Sequence, residues 1–250
     1  LGATWNYQNN QPYYISRSEQ LSVEPPPIYV NLSFRWMIET TLKAEKNWES
    51  GEPQKTTQRL ADVGKLNGLY LGIGLTSAFW LSENSYNSQT RPYVENYGIS
   101  LMPDFTIGYY LHNPNINLGI AYRNYGSSVN TYGVSQIARR KSLALEVAKY
   151  LFDYKGFAVY AGPILSYESL SFEENFENQP TLNLVKQQLG YGVTFGWDIL
   201  PNRIQKWILR TNLRWFPNIH LDISEEQGIS FDNIEFNFIQ FILFPNRLKL

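Results

Sequence analysis

A chain of 250 residues with no cysteine, a formal charge of −1, a mean hydropathy of −0.34 and 7 Trp, 18 Tyr and 14 Phe excludes several classes at once. Near-neutral charge without a Lys/Arg cluster removes the electrostatic footprint of a nucleic-acid binder, so no nucleic-acid partner is expected. No apolar run approaches the roughly 18 residues that a membrane helix needs, whereas spanning β-strands alternate and average to a hydropathy of this kind.

Residues 1–27 are polar and aromatic and finish in Pro25, Pro26 and Pro27. Consecutive prolines cannot donate to a sheet ladder, which marks a boundary between an N-terminal extension (1–27, a possible weak first strand) and the rest of the chain (28–250). The opening LGATWNYQNN has neither a basic n-region nor an apolar h-region, so the numbering is expected to begin at or near a mature end, with a signal peptide already removed. From Val30 to Leu42 an apolar row (Val30, Leu32, Phe34, Trp36, Ile38) alternates with Asn31, Ser33, Arg35, Glu39 and Thr41 and predicts a spanning strand. The longest polar interval follows, with a short helix predicted from Thr56 to Val63.

Gly68 to Leu81 sends Leu69, Leu71, Ile73, Leu75 and Phe79 to one face and Tyr70, Gly72, Gly74 and Thr76 to the other. After a polar loop (82–96), a hairpin descends through Ile99, Leu101, Phe105, Ile107 and Tyr109, turns at 112–115 and returns through Ile116, Leu118, Ile120 and Tyr122. A second polar loop is predicted at 124–139. It leads to a hairpin of Leu143, Leu145, Val147 and Leu151 with Phe157, Val159, Leu165 and Tyr167. An acidic loop (171–183) precedes the clearest stretch, Gln188 to Pro217. There Leu189, Tyr191, Val193, Phe195, Trp197 and Ile199 face away from Gly190, Gly192, Thr194, Gly196 and Asp198, and Trp207 to Trp215 repeats the split after a turn at 200–206. A final loop (218–232) leads to a strand near 234–244 with Phe and Ile on both faces, as a bulge would leave it.

A soluble sandwich has an aliphatic core face and a solvated face rich in Lys, Glu and Thr. Here the apolar face ends in large aromatics and the other is narrow and glycine-rich. The pattern therefore predicts an all-β, antiparallel, up-and-down transmembrane barrel, with lipid on the apolar row, aromatic girdles at the interfaces and small or charged residues in the lumen. Short turns alternating with long loops orient it, turns periplasmic and loops outside. Nine strands are readable, yet such barrels close with even numbers, which leaves eight to ten, with ten favoured because the strand at 30–42 has so clean an apolar face.

The inward rows carry Arg35, Glu39, Asp104, Arg123, Glu146, Glu168, Asp198, Arg210 and Arg214. Charges in a narrow interior need opposite partners, so these predict a salt-bridged lumen network rather than a solute path. The run His220-Leu221-Asp222-Ile223-Ser224 places three catalytically suggestive groups on one face, but same-face neighbours lie about 7 Å apart, too far for direct contact without a bend. No phosphate loop, metal-ligand spacing or cofactor motif is present in the sequence.

The stretches YLGIGLTSAFW, GISLMPDFTIGYYLHNPNINLGIAYR, FAVYAGPILSYES and GYGVTFGWDILPNRIQKWILRTNLRWFP resemble the small outer-membrane β-barrel proteins common in Bacteroidota, broadly similar to OmpX and OmpW. The resemblance covers about residues 66–250 and implies a bacterial outer-membrane location. It carries no catalytic motif across. The function expected on these grounds is a non-enzymatic accessory subunit of a larger outer-membrane machine for secretion, barrel assembly or uptake. Its partners would be outer-membrane lipid, lipopolysaccharide and other outer-membrane proteins. A narrow channel for small or apolar solutes and a lipid-modifying enzyme using His220 are the alternatives.

Overall fold

The computed structural model describes residues 2–5, 13–21, 28–31, 52–82, 84–154, 156–200 and 206–248. Four short strands come first: β1 (Gly2–Trp5), β2 (Tyr13–Tyr14), β3 (Gln20–Leu21) and β4 (Ile28–Asn31), with β1 antiparallel to β4 and β2 to β3. Helix α1 (Glu52–Asp62) contains most of the predicted 56–63 segment and begins a turn earlier.

The ring starts at β5 (Gly68–Trp80), followed by the short helix α2 (Ser85–Thr90). It continues through β6 (Ser100–Leu111), β7 (Ile116–Thr131), β8 (Val134–Tyr154), β9 (Phe157–Phe176), β10 (Gln179–Ile199) and β11 (Trp207–Phe216). A small hairpin, β12 (His220–Asp222) with β13 (Gly228–Ser230), precedes the closing strand β14 (Asn233–Leu243), which pairs with both β11 and β5. All contacts around the ring are antiparallel, and the barrel closes with eight strands, the lower of the counts the sequence allowed. The strand that argued for ten begins as β4, paired with β1 outside the ring, and its continuation lies outside the described residues.

Alternation dictates the wall. On β5, Leu69, Leu71, Ile73 and Leu75 point out while Tyr70, Gly72 and Thr76 point in, and the same alternation runs along the other ring strands as far as β11, broken on β8 by a bulge that leaves Leu151 and Phe152 both facing outward. On β14 the phase breaks at a bulge: pairing slips between Asn237 and Ile239, so Phe238 and Ile239 both face outward. The Thr211 hydroxyl on β11 donates to the carbonyl of the extra residue, Phe238, at 2.8 Å.

Two predicted loops are instead strand. Residues 124–139 continue β7 and β8 to a two-residue turn at Tyr132-Gly133, and 171–183 continue β9 and β10 to a turn at Glu177-Asn178. Both turns have two consecutive positive φ angles (46° and 84°; 51° and 65°), the hairpin geometry that matches strand twist. These extensions rise beyond the apolar band, where the outward face meets water, so both rows carry polar residues and the alternation that marks a membrane strand fades. The loops at 82–96 and 218–232 hold α2 and the β12–β13 hairpin.

Candidate functional site

The lumen is built in three storeys. At the periplasmic end Tyr70, Tyr110, Tyr150 and Tyr160 project inward, with Tyr110–Tyr150 (6.0 Å between ring centroids) and Tyr150–Tyr160 (5.8 Å) edge to face and Tyr70 tilted against Phe244 (5.8 Å). Glycine on the facing strands makes the room: a Cβ on Gly108 or Gly119 would come within 2.4 or 2.5 Å of the Tyr70 hydroxyl. Directly across the β10–β11 ladder, Arg210 clasps Asp198 with two bonds of 2.9 and 2.8 Å, and the Tyr150 hydroxyl donates to the same carboxylate. Below them the buried Arg247 lies over the Phe244 ring and donates to the Leu66 carbonyl, closing the floor. His112, in the adjoining turn, has its pKa held below the usual histidine value by burial and by the Arg247 charge.

The middle storey is ionic. Arg214 reaches Asp104 (2.8 Å) and Glu146 (3.1 Å), and Arg123 binds Glu146 and lies 3.6 Å from Asp104 and 3.4 Å from Glu235. Arg140 forks onto Glu168 with two bonds of 2.7 Å and bonds Tyr125 and Asn233. All three guanidinium groups are buried, so each depends on the carboxylates paired with it.

The outer storey is an apolar plug of the kind found inside soluble domains. Tyr86 and Tyr97 from the loop carrying α2, Ile219, Leu221, Ile229 and Phe231 from around the β12–β13 hairpin, and Leu170 and Phe172 from β9 bury one another, with Trp80 packed alongside. Its polar anchor is Glu174, which accepts bonds from Tyr86 (3.0 Å), Arg91 (3.2 Å) and Gln136 (2.9 Å), while Gln136 and Asn87 pair amide to amide. Burial, and then the Glu174 carboxylate, push the Tyr86 phenol up to about 12.

Asp104, Arg123, Glu146, Glu168, Asp198, Arg210 and Arg214 thus all enter the two buried ionic clusters, and Arg35 and Glu39 lie outside the described residues. Arg140, Glu174 and Glu235 complete the set and were missed. Strand phase would have found the first two, each an even number of residues from a recognised inward position, Glu146 on β8 and Glu168 on β9, whereas β14 offered no recognised inward residue to count from.

His220, Asp222 and Ser224 line a shallow pocket of about 240 Å³ beside the outer mouth, together with Ser85 and Gly228. His220 Nε2 lies 3.5 Å from Asp222 Oδ1, closer than backbone spacing predicts because both exposed side chains lean together. Lys186 holds the other Asp222 oxygen at 2.7 Å, and this bond lowers the carboxyl pKa. Among the described residues no hydrogen bond joins the Ser224 hydroxyl to His220, so the arrangement is a His–Asp pair without an engaged nucleophile.

The outside of the ring decides what surrounds it. From Leu101 at 68 % exposure to Leu189 at 71 %, the outward rows present Leu, Ile, Val, Phe, Tyr and Trp around the whole circumference, far beyond the apolar patches a water-soluble surface carries. Every ring strand is hydrogen-bonded on both sides for at least part of its length, so the ring is closed, and all connections at one end are short. The protein is an integral outer-membrane β-barrel. No protein-family model matches the sequence, and no curated relative does. Among solved structures, the barrel is similar to Neisserial surface protein A (12 % identity, 71 % of this chain and 97 % of that one, TM-score 0.43). It is similar also to the outer membrane protein OprG from Pseudomonas aeruginosa (9 %, 71 % and 96 %, 0.48) and to Ail, the attachment invasion locus protein of Yersinia pestis (7 %, 71 % and 96 %, 0.41). The membrane assignment stands on the closed ring and its apolar exterior, not on these likenesses.

Proposed function

We propose that the protein is a non-catalytic barrel that works by contact, as an accessory subunit of a larger outer-membrane assembly for secretion, barrel insertion or nutrient uptake. One observation carries this reading: the inward side chains of the ring are buried, with ion-paired charges at mid-height and an apolar cluster at the outer mouth, which supports a protein that meets other molecules through its exterior. Lipid and lipopolysaccharide are its surroundings in that reading, and larger outer-membrane proteins its partners. A source among the Bacteroidota belongs to the same proposal and rests on the strand patterns quoted above.

A narrow channel fits poorly with paired charges at mid-height and an apolar plug at the mouth, and a lipid-modifying enzyme at His220 lacks, among the described residues, a serine engaged by the imidazole. The test is purification of the tagged barrel from native outer membranes in mild detergent, with mass spectrometry of co-purifying chains. A reproducible, stoichiometric set of large outer-membrane proteins supports the accessory role. Recovery of the barrel alone, or a steady single-channel conductance in planar bilayers, overturns it.

A further inference from the structure

The two sides of β10 are unequally served. Along its whole length it pairs with β9, but β11 joins it only from Val193 to Ile199. Between the bulge at Pro180–Leu182 and Val193 its other edge has no backbone partner among the described residues. The neighbouring chain turns inward at Phe216 to build the plug, and only side chains cross the gap: Lys186 reaches the His220 carbonyl (3.0 Å) and Asp222, and Asn218 reaches the Tyr191 hydroxyl.

Natural proteins guard free edges with prolines, bulges, outward charges or a covering segment. Among the described residues, 182–192 carry no proline, outward charge or covering backbone on this edge, and the outward face reads Asn183, Val185, Gln187, Leu189 and Tyr191, with Val185 69 % and Leu189 71 % exposed. The lone lysine of the stretch is committed to Asp222. The opposite free edge, on β7 beyond Arg123, is unlike it: its outward row is Asn124, Gly126, Ser128 and Asn130, and the Ser100 hydroxyl caps the Gly126 carbonyl at 2.8 Å.

We infer that the outer half of β10 is a docking edge, where an extended strand of a different envelope protein adds to the sheet by backbone hydrogen bonds. A second copy of this chain does not fit. Two barrels inserted the same way in one membrane are related by an axis along the membrane normal, so their β10 edges run in the same sense. With strands tilted about 35–45°, they would cross at roughly 70–90° instead of lying side by side. The uncharged, alternating outward row fits a partner strand that is itself uncharged and alternating, recognised through its main chain with Val185 and Leu189 covered by its side chains. The inference deepens the accessory-subunit reading and rests on it.

The test places a photo-crosslinking amino acid at Asn183 or at Gln187 in the full-length protein in intact cells, with a control probe at Ser128 on the β7 edge. The adducts are mapped by mass spectrometry. Expected are heteromeric adducts from both β10 probes and none from Ser128, on one partner segment at positions about four residues apart, since strands in register step together. Val185→Lys, an edge charge of the guarding kind, is expected to lower the Asn183 adduct at least tenfold while the barrel keeps its heat-modifiable gel mobility. Adducts only with a second copy, adducts with no register relation, or none at all overturn the inference. If large partners still co-purify in that case, the accessory role stands and the contact lies elsewhere. If none co-purify, both fall.

Discussion

The Arg210–Asp198 clasp allows a quantitative test of what holds the lumen. Both groups are buried (4 % and 0 % exposed), lie opposite each other on β10 and β11, and are joined by two charge-assisted bonds. Asp198→Asn keeps an acceptor for the Tyr150 hydroxyl but leaves a buried guanidinium without its counter-charge. Arg210→Met leaves a buried carboxylate instead. Breaking one side of a buried pair costs about 3–5 kcal/mol, because the surviving charge remains desolvated. The double variant Asp198→Asn/Arg210→Met buries no charge at all and is expected to lose no more than about 2 kcal/mol, which gives a coupling energy of several kcal/mol between the two sites. Urea unfolding from phospholipid vesicles, followed by tryptophan fluorescence, measures all four corners of the cycle. A coupling below about 1 kcal/mol, with the double variant losing the sum of the singles, would refute the view that the two charges exist to satisfy each other.

The remaining predictions address the other storeys. Thr211→Val removes the hydroxyl that donates to the bulge carbonyl of Phe238 on the lipid-facing wall and is expected to cost about 1–3 kcal/mol in the same unfolding assay, whereas Thr211→Ser costs less. Phe172→Ala hollows the outer plug. It is expected to raise amide exchange in residues 84–97 and 219–231 selectively, with a local loss of about 3–5 kcal/mol, while exchange in the membrane band is unchanged. Arg17 bonds the Tyr132 carbonyl and Glu177 at the two outer hairpin tips, so Arg17→Ala is expected to expose residues 13–21 to external protease on intact cells while changing barrel stability by under about 1 kcal/mol. His112 has a native pKa below 6.5, so below that pH the unfolded chain binds the proton more readily than the native one. Its contribution to stability is therefore lost as pH falls through 6.5 and is flat above it. His112→Asn is expected to flatten the decline in stability between pH 7 and pH 5.

Which parts of this were legible beforehand follows from where the environment is two-sided. Across the membrane band, lipid on one face and lumen on the other impose a strict period of two, so rows such as Leu189–Ile199 and Leu69–Phe79 declared both strand and facing without help. Above the band the contrast vanishes. Ser135, Arg139 and Lys141 face water while Gln136, Ala138 and Arg140 face the plug, a mixture that composition alone reads as loop. Arg140 and Glu174 were hidden by that misreading rather than by any oddity of their own. Glu235 was hidden by the bulge beside it, which obscured the phase of β14. The plug joins Tyr86 and Tyr97 to Phe172 and Phe231, residues far apart in the chain with no periodicity in common.

Ring closure carries a kinetic consequence. From β5 to β11 each strand pairs with its neighbour in sequence across a turn or loop, so those contacts are made early and at small loop-closure cost. The seam is different: Trp80 must find Asn233 and Leu71 must find Leu243, the two ends of the meander. On loop-closure grounds that step is expected to come last, and until it is taken β5 and β14 are bare edges that hydrocarbon cannot bond. The bulge sits on this seam, where β14 meets β11 on one side and β5 on the other, and because both pairings slip at the same extra residue, Phe238, one insertion serves both registers as the wall seals.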